Sequence, residues 1–340
     1  MTSIKNDKGT KEKVVYNNGF LFLMVPVDFR IPPKLLHIQK YKNGNYDELI
    51  DETANIIIKA LKKFNLKVQF KCTDGDRYLS EEHTSFFKKY IEGKSSNFIK
   101  LIQNLYFEMN LKDIIIPVGD PLHLWKALRT RLQKLPIAIF GNSSFVSDID
   151  GVKNVLQLGN ALNDFSQTGK MRDSYCLQLF TLNNVNKLFI AGKYVDAIIL
   201  FPFACWIIVA YSTTIDLPFR LFLNELAFQI IYGFYENIKD LKKNGVKQKA
   251  TENANIITIA EEQYIIRMLN SLVATALTLI FADYILTDCV GTHLVENCIE
   301  LARQTSNDPR WSRIISSFSH SELRKKLVRN MVFVCMSKKD

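Results

Sequence analysis

Cysteine is scarce and scattered in this chain. Its six cysteines, Cys72, Cys176, Cys205, Cys289, Cys298 and Cys335, form no C-x-x-C pair and sit mostly in apolar surroundings. That pattern suggests neither a disulfide framework nor a zinc site, and it fits a reducing compartment. No G-x-S-x-G elbow occurs, so the hydrolase triad built on it is unsupported. No P-loop occurs either, which argues against nucleotide binding by that route. Internal repeats and low-complexity tracts are absent. No apolar run reaches the ~18 to 20 uninterrupted residues of a membrane span. Ala197 to Tyr211 contains Pro202 and is bounded by Asp196 and Asp216; Leu272 to Ile285 is interrupted by Asp283 and preceded by Arg267. Both are expected to be buried helices of a large core, with no membrane as partner. The apolar run Phe20 to Val27 is short and starts too late for an ordinary secretory signal peptide.

What is present is an ordinary globular composition with a basic balance. The chain has 340 residues, 47% of them apolar and 23% charged, enough for one large domain or two ordinary ones. Its formal net charge is +10. Such an excess favours a polyanionic partner, either nucleic acid or an anionic membrane surface.

Patterning predicts a strand or hairpin arm over Val14 to Phe29 and a short strand over Lys34 to Lys40. Asp47 to Phe64 has helical spacing, with Leu49, Ile50, Thr53, Ile57, Ala60, Leu61 and Phe64 on one face. Its acids come early and its bases late, as the helix dipole prefers. Leu66 to Cys72 then alternates at a period of two, with Val68, Phe70 and Cys72 on one face and Lys67, Gln69 and Lys71 on the other. It stops at Thr73-Asp74-Gly75-Asp76. Asp-Gly is a turn dipeptide, and it also sets a carboxylate at the rim of a sheet, where open α/β sheets do their chemistry. Helices are expected over Ser80 to Ile91 and Ser96 to Met109. A second apolar strand, Asp113 to Gly119, also ends in Gly-Asp.

Leu122 to Lys134 reads as a basic amphipathic helix, with Lys126, Arg129, Arg131 and Lys134 as charges and Leu124, Leu128 and Leu132 as the apolar row. From about Pro136 to Leu286 long helical patterns dominate: Asn183 to Ala191, Asp196 to Ser212, Leu217 to Lys243 and Ile259 to Leu286. Gly291-Thr292-His293 leads into a helix, Leu294 to Thr305, that carries Glu296 and Glu300 one turn apart. A basic segment, Arg310 to Arg329, follows it.

Asp74, Asp76, Asp120, Glu296 and Glu300 are the candidate acids. Clustered carboxylates of this kind suit Mg²⁺ or Mn²⁺, hard ions that also bind phosphate oxygens. Two such ions ~3.5 to 4 Å apart activate an attacking hydroxyl and steady the leaving oxygen of a phosphodiester. Asp120 ahead of Pro121 also reads as a helix N-cap. His123 and His293 lie near acids as metal ligands, proton shuttles or structural donors.

The order of these motifs is helix, strand ending T-D-G-D, helices, strand ending G-D-P-L-H-L-W-K-A-L-R, a long helical stretch, then G-T-H-L-V-E-N. It resembles the RNase H-like DDE transposases of the P element and THAP-domain group, over roughly Phe20 to Arg329. The resemblance implies an RNase H-like mixed sheet, α/β in class, interrupted by a large all-helical insertion. It divides the chain into a first core part (14–135), the insertion (136–286) and C-terminal helices that complete the core (287–330). By the same resemblance Asp74 is the second catalytic acid and a metal ligand, and Glu296 is the third. Asp120, His123, Lys126 and Arg129 support the site, and Lys126, Arg129 and neighbouring Arg131 approach nucleic acid.

The first acid belongs on the first strand, where Asp28 in Val25-Pro26-Val27-Asp28 is the candidate and Asp7 lies in a polar stretch. The chain is thus expected to be an N-terminally truncated, decayed or domesticated member. The function implied is metal-dependent cleavage of DNA and strand transfer, nuclear in location and acting as a homo-oligomer. The alternative is a catalytically inactive derivative that binds DNA or protein.

Overall fold

The structure is a computed structural model. It describes residues 3–5, 11–13, 18–24, 34–41, 46–64, 66–73, 80–94, 96–112, 114–133, 137–138, 146–164, 166–170, 172–212, 214–243, 257–258, 262–281 and 334–336. The chain divides into two units: Met1–Val68 with Leu294–Asp340, and Gln69–His293.

In the first unit, β1 (Ser3–Lys5) pairs antiparallel with β2 (Lys11–Lys13). β3 (Asn18–Met24) pairs antiparallel with β4 (Lys34–Tyr41), with a register shift between Phe22 and Leu23. The expected hairpin arm and short strand are therefore present, within Asn18–Met24 and Lys34–Tyr41. β9 (Val334–Met336) lies against β3. α1 (Tyr46–Lys63) follows the hairpin and buries Ala54 and Leu61. Phe64, expected on the buried face, is 77% exposed. It falls past the last helical residue, where its backbone turns back onto the Leu61 carbonyl.

The second unit is mainly helical around a small parallel sheet. β5 (Phe70–Thr73) and β6 (Ile116–Gly119) pair in parallel, from Phe70 opposite Ile116 to Thr73 opposite Gly119. All four residues of β6 are buried, as a parallel strand covered on both faces requires. α2 (Ser80–Tyr90) and α3 (Phe98–Lys112) connect the strands, and α4 (Pro121–Leu132) leaves β6. The expected row Leu124, Leu128 and Leu132 is buried. A second parallel pair joins β7 (Ile137–Ala138) to β8 (Ile257–Thr258). The expected α/β class is met loosely, by many helices around small parallel strand pairs.

Four short helices had no clear sequence signal: α5 (Ile149–Leu156), α6 (Asn160–Asn163), α7 (Gln167–Lys170) and α8 (Asp173–Leu179). They are one to two turns long, too short for a helical period to show. Side-chain oxygens start two of the helices in this region: Asp148 accepts from the Gly151 N–H, and Thr181 from the Asn184 N–H.

The long helices fall where their periodicity places them: α9 (Leu182–Ile190), α10 (Tyr194–Tyr211), α11 (Leu217–Lys243) and α12 (Glu262–Phe281). α12 is the central one. Residues 265–279 are buried without exception, and the helix packs against α2, α3, α4, α11 and β6. A helix covered on every side needs no polar face. α10 runs unbroken through Pro202. Both α10 and α12 are long and apolar enough to cross a membrane by length and composition, so the expected shortfall in length does not hold. Their candidate windows are 67% and 83% buried inside the fold.

Buried polar atoms tie these helices together. The Asn224 amide donates to the Leu272 carbonyl (2.9 Å), joining α11 to α12. The Arg220 guanidinium donates to the Val209 carbonyl at the end of α10. At the end of α2, Gly93 adopts φ +73°, a left-handed conformation that favours glycine. Its N–H donates to the Tyr232 hydroxyl (3.0 Å), while Tyr235 and Lys239 donate to Glu92 (2.8 and 2.7 Å).

Candidate functional site

The parallel pairing of β5 and β6 brings two sequence signals to one edge. Thr73 and Gly119 are the last paired residues of their strands and stand opposite each other. Asp74 and Asp120 are the next residues in sequence. Asp74, Asp76, Asp28, His293, Glu296 and Glu300 lie outside the described residues, as does the expected helix Leu294 to Thr305. Among the described residues no group of three or more His, Cys, Asp or Glu side chains is arranged to hold a metal ion.

Asp120 takes the capping role its sequence context allows. It is 1% exposed, adopts an extended backbone conformation ahead of Pro121, and its carboxylate accepts from the Leu122 N–H at 2.9 Å. His123 stands half-buried in the first turn of the same helix.

The basic residues of α4 are not a single exposed face. Lys126 is buried and forms an ion pair with Asp173 at 3.0 Å. Arg129 is fully buried. Its Nε donates to the Ala161 carbonyl (2.9 Å), Nη1 to Gly169 (3.0 Å) and Nη2 to Asp164 (3.2 Å). The guanidinium also lies over the Tyr175 ring, 5.0 Å from its centroid. The expected approach of Lys126 and Arg129 to nucleic acid meets a physical obstacle here. Both cations are spent on the packing of α4 against α6, α7 and α8. Arg131, two residues on, is half-buried.

Polar groups that the sequence did not single out gather beside the strand ends. Lys71 of β5 pairs with Glu82 at 2.8 Å, which fixes the start of α2 on the sheet. One turn of α12 faces the end of β6. Ser271 Oγ donates to the Gly119 carbonyl (2.8 Å) and accepts from the Gly119 N–H (3.1 Å). A Cβ at Gly119 would stand 3.2 Å from Arg267 Cβ and 3.3 Å from Leu124 Cδ1, so a side chain there requires both neighbours to give by a few tenths of an ångström.

His83 of α2 is 1% exposed. The Asn270 amide donates to the His83 carbonyl (3.1 Å) and lies 3.2 Å from Nδ1. That contact makes Nδ1 an acceptor and puts the proton on Nε2, which has no partner among the described residues. Burial, then the positive charges of Arg267 and Lys71, pull the His83 pKa down to about 3. The imidazole is therefore neutral at physiological pH. The one sequence signal for Lys71 was its place in the strand alternation; nothing in the local pattern pointed to His83, Arg267 or Ser271.

Two other features carry little chemistry. The described cysteines, Cys72, Cys176 and Cys205, are free and buried. Burial pushes the Cys176 and Cys205 thiols up to about 12, which leaves them protonated and inert. An open groove of about 400 Å³ between α9, α10 and α11 is lined by Leu182, Val185, Phe189, Ile198, Phe201 and Ile230. Its one polar lining residue is Asn186, so it lacks an acid or base.

The fold defines a mainly helical α/β protein around a small parallel strand pair, with the buried Asp120 carboxylate at the carboxyl end of β6. Compared with protein-family models, with curated proteins and with solved structures, the chain matches none.

Proposed function

We propose that this chain is an RNase H-like, DDE-type transposase core that binds DNA and cleaves and joins phosphodiesters with the help of Mg²⁺ or Mn²⁺. The observation that supports it best is the parallel pairing of β5 with β6, ending at Thr73 and Gly119. Thr73, the first residue of T-D-G, thereby stands opposite Gly119, the first of G-D-P, and the D-x-x-H-x-x-K-x-x-R segment from Asp120 lies at the start of α4. Two aligned strand ends are the usual address of chemistry in open α/β sheets.

In this reading Asp74 and Glu296 supply the oxygen ligands, with Asp28 as the candidate first acid. The divalent ion contributes charge neutralisation at the phosphate. Asp120 and His123 act by ordering the start of α4. Lys126 and Arg129 act at one remove, by holding α4 against the helices around it. DNA is the partner, the nucleus the place of action and a homo-oligomer the working form. The rival reading is a catalytically inactive derivative that binds DNA or protein, and it differs in lacking an assembled carboxylate site.

Calorimetry of Mn²⁺ binding to the parent chain, Asp74→Ala and Glu296→Ala separates the two. The active reading expects binding in the parent that disappears in both variants, followed by metal-dependent nicking of duplex DNA. A parent chain that binds no Mn²⁺ would leave the inactive derivative as the function.

A further inference from the structure

The charge that would meet DNA has to sit somewhere other than the two buried cations of α4. We propose that the carboxyl-terminal end of α2, through Lys88, Lys89 and Lys94, is a contact surface for the phosphate backbone of nucleic acid. This rests on the reading of the chain as a DNA-binding protein and adds a location to it.

Lys88 and Lys89 occupy the last turn of α2, and all three lysines are exposed. The Lys94 ammonium donates to the Lys89 carbonyl at 2.8 Å, so the charge of the following turn is folded back beside the helix end. Lys89 lies 4.9 Å from the centre of the Tyr90 ring, which itself packs on Phe86. The neighbouring acids are already engaged. Glu92 accepts from Lys239 and Tyr235, and Glu108 pairs with Lys112 at 3.5 Å. Glu92 also lies near Lys88 and Glu108 near Lys89, but each acid makes its close ion pair with another lysine. Part of their charge serves the helix dipole. Three exposed ammonium groups at one helix end, in excess over the acids beside them, also make a local positive potential that a polyanion can use.

Geometry relates this end to the strand edge. The Lys71–Glu82 pair anchors the start of α2 on β5. A helix of 11 residues carries the chain roughly 16 Å from there, on the order of half a turn of B-form duplex. Lysines alone, with no bidentate arginine among them, fit sequence-independent contact with phosphates. No large apolar side chain is exposed among the described residues between Leu66 and Ile99, which favours a nucleic acid over an inserting membrane contact.

The test uses the full chain, a fluorescein-labelled duplex of random sequence, and anisotropy titrations over a range of salt. The variant carries Lys88→Gln, Lys89→Gln and Lys94→Gln. A control carries Lys153→Gln, Lys170→Gln and Lys187→Gln, which changes net charge equally at other places. Circular dichroism checks that both are folded. The expected result is a salt dependence, log K against log salt, shallower by about 2 to 3 in the α2 variant and unchanged in the control. Equal loss in both variants would overturn the proposal in favour of overall charge. Unchanged binding in the α2 variant would overturn it while leaving DNA binding intact. A parent chain that binds no duplex would remove both the surface and the reading it rests on. Binding only to anionic phospholipid vesicles, lost in the α2 variant, would assign the surface to a membrane instead.

Discussion

Arg129 spends its whole donor fork on the carbonyls of Ala161, Gly169 and Asp164. Removing it takes the donors from the Gly169 and Asp164 carbonyls and leaves Ala161 only the longer contact from Gln133 Nε2 (3.4 Å), and buried acceptors are expensive to leave unpaired. Arg129→Met is expected to destabilise the chain by about 3 kcal/mol or more, read as a lower urea midpoint. Arg129→Lys should recover only part of that, because an ammonium cannot reproduce the fork.

Two buried titratable groups give a more particular prediction. His83 titrates near 6.5 when unfolded and about 3 when folded, so its share of stability is lost as pH falls from 6.5 toward 3. Asp196 is buried at the start of α10, where both carboxylate oxygens accept from the Asp148 N–H (3.1 and 3.3 Å). Burial raises its pKa from 3.8 to about 6, so the folded state takes up the proton first and gains stability as pH falls from about 6 toward 4. Between pH 6 and 4 the two slopes oppose each other, each about 1.4 kcal/mol per pH unit. Asp196→Asn keeps the acceptor and removes the compensation. Its stability should fall more steeply than the parent's by that amount per unit over this window, measured by urea melts at stepped pH. Parallel profiles in parent and variant would show that Asp196 does not titrate there.

At the scale of elements, the junction of β6 with α12 decides whether the strand ends are held. Gly119 has no room for a Cβ without movement of Arg267 and Leu124, and its N–H and carbonyl both bond to Ser271. Gly119→Ala is expected to cost about 1 to 3 kcal/mol through overpacking. Ser271→Ala should cost a similar amount, about 1 to 3 kcal/mol, by leaving the buried Gly119 N–H unpaired. In both variants amide exchange should quicken at β6 and the start of α4 before it does at α10. Long elements such as α10, α11 and α12 were legible in the sequence because several helical periods fit within them. Helices α5 to α8 were not, since one or two turns leave no period to read. The partner of β6 was equally hidden: a four-residue apolar run says strand, but it does not name the helix that will lie on it.

For the whole molecule, the apolar character of α10 and α12 belongs to the interior. Ala197, Leu200, Phe203, Ala204 and Trp206 are buried on α10, and Trp206 meets Trp125 of α4 edge-on at 5.4 Å. The chain is therefore expected to stay in the aqueous phase when a detergent solution is warmed to phase separation. Partition into the detergent phase would show that these helices serve a membrane.

Sequence alone established the order of the longer helices, the strands that end at Thr73 and Gly119, and the N-cap before Pro121. These are local matters of alternation, helical period and capping, in which each residue answers to neighbours a few positions away. Only the tertiary structure decided what the charges of α4 are for. Lys126 and Arg129 sit on a face that looks amphipathic and basic in sequence, yet helices 32 to 47 residues further along the chain cover that face and use both cations. The same holds for His83, Arg267 and Ser271. Their roles come from the close approach of α12 to β6 and to α2, across separations of 152 and 187 residues, and contacts at such separation leave no trace in local periodicity.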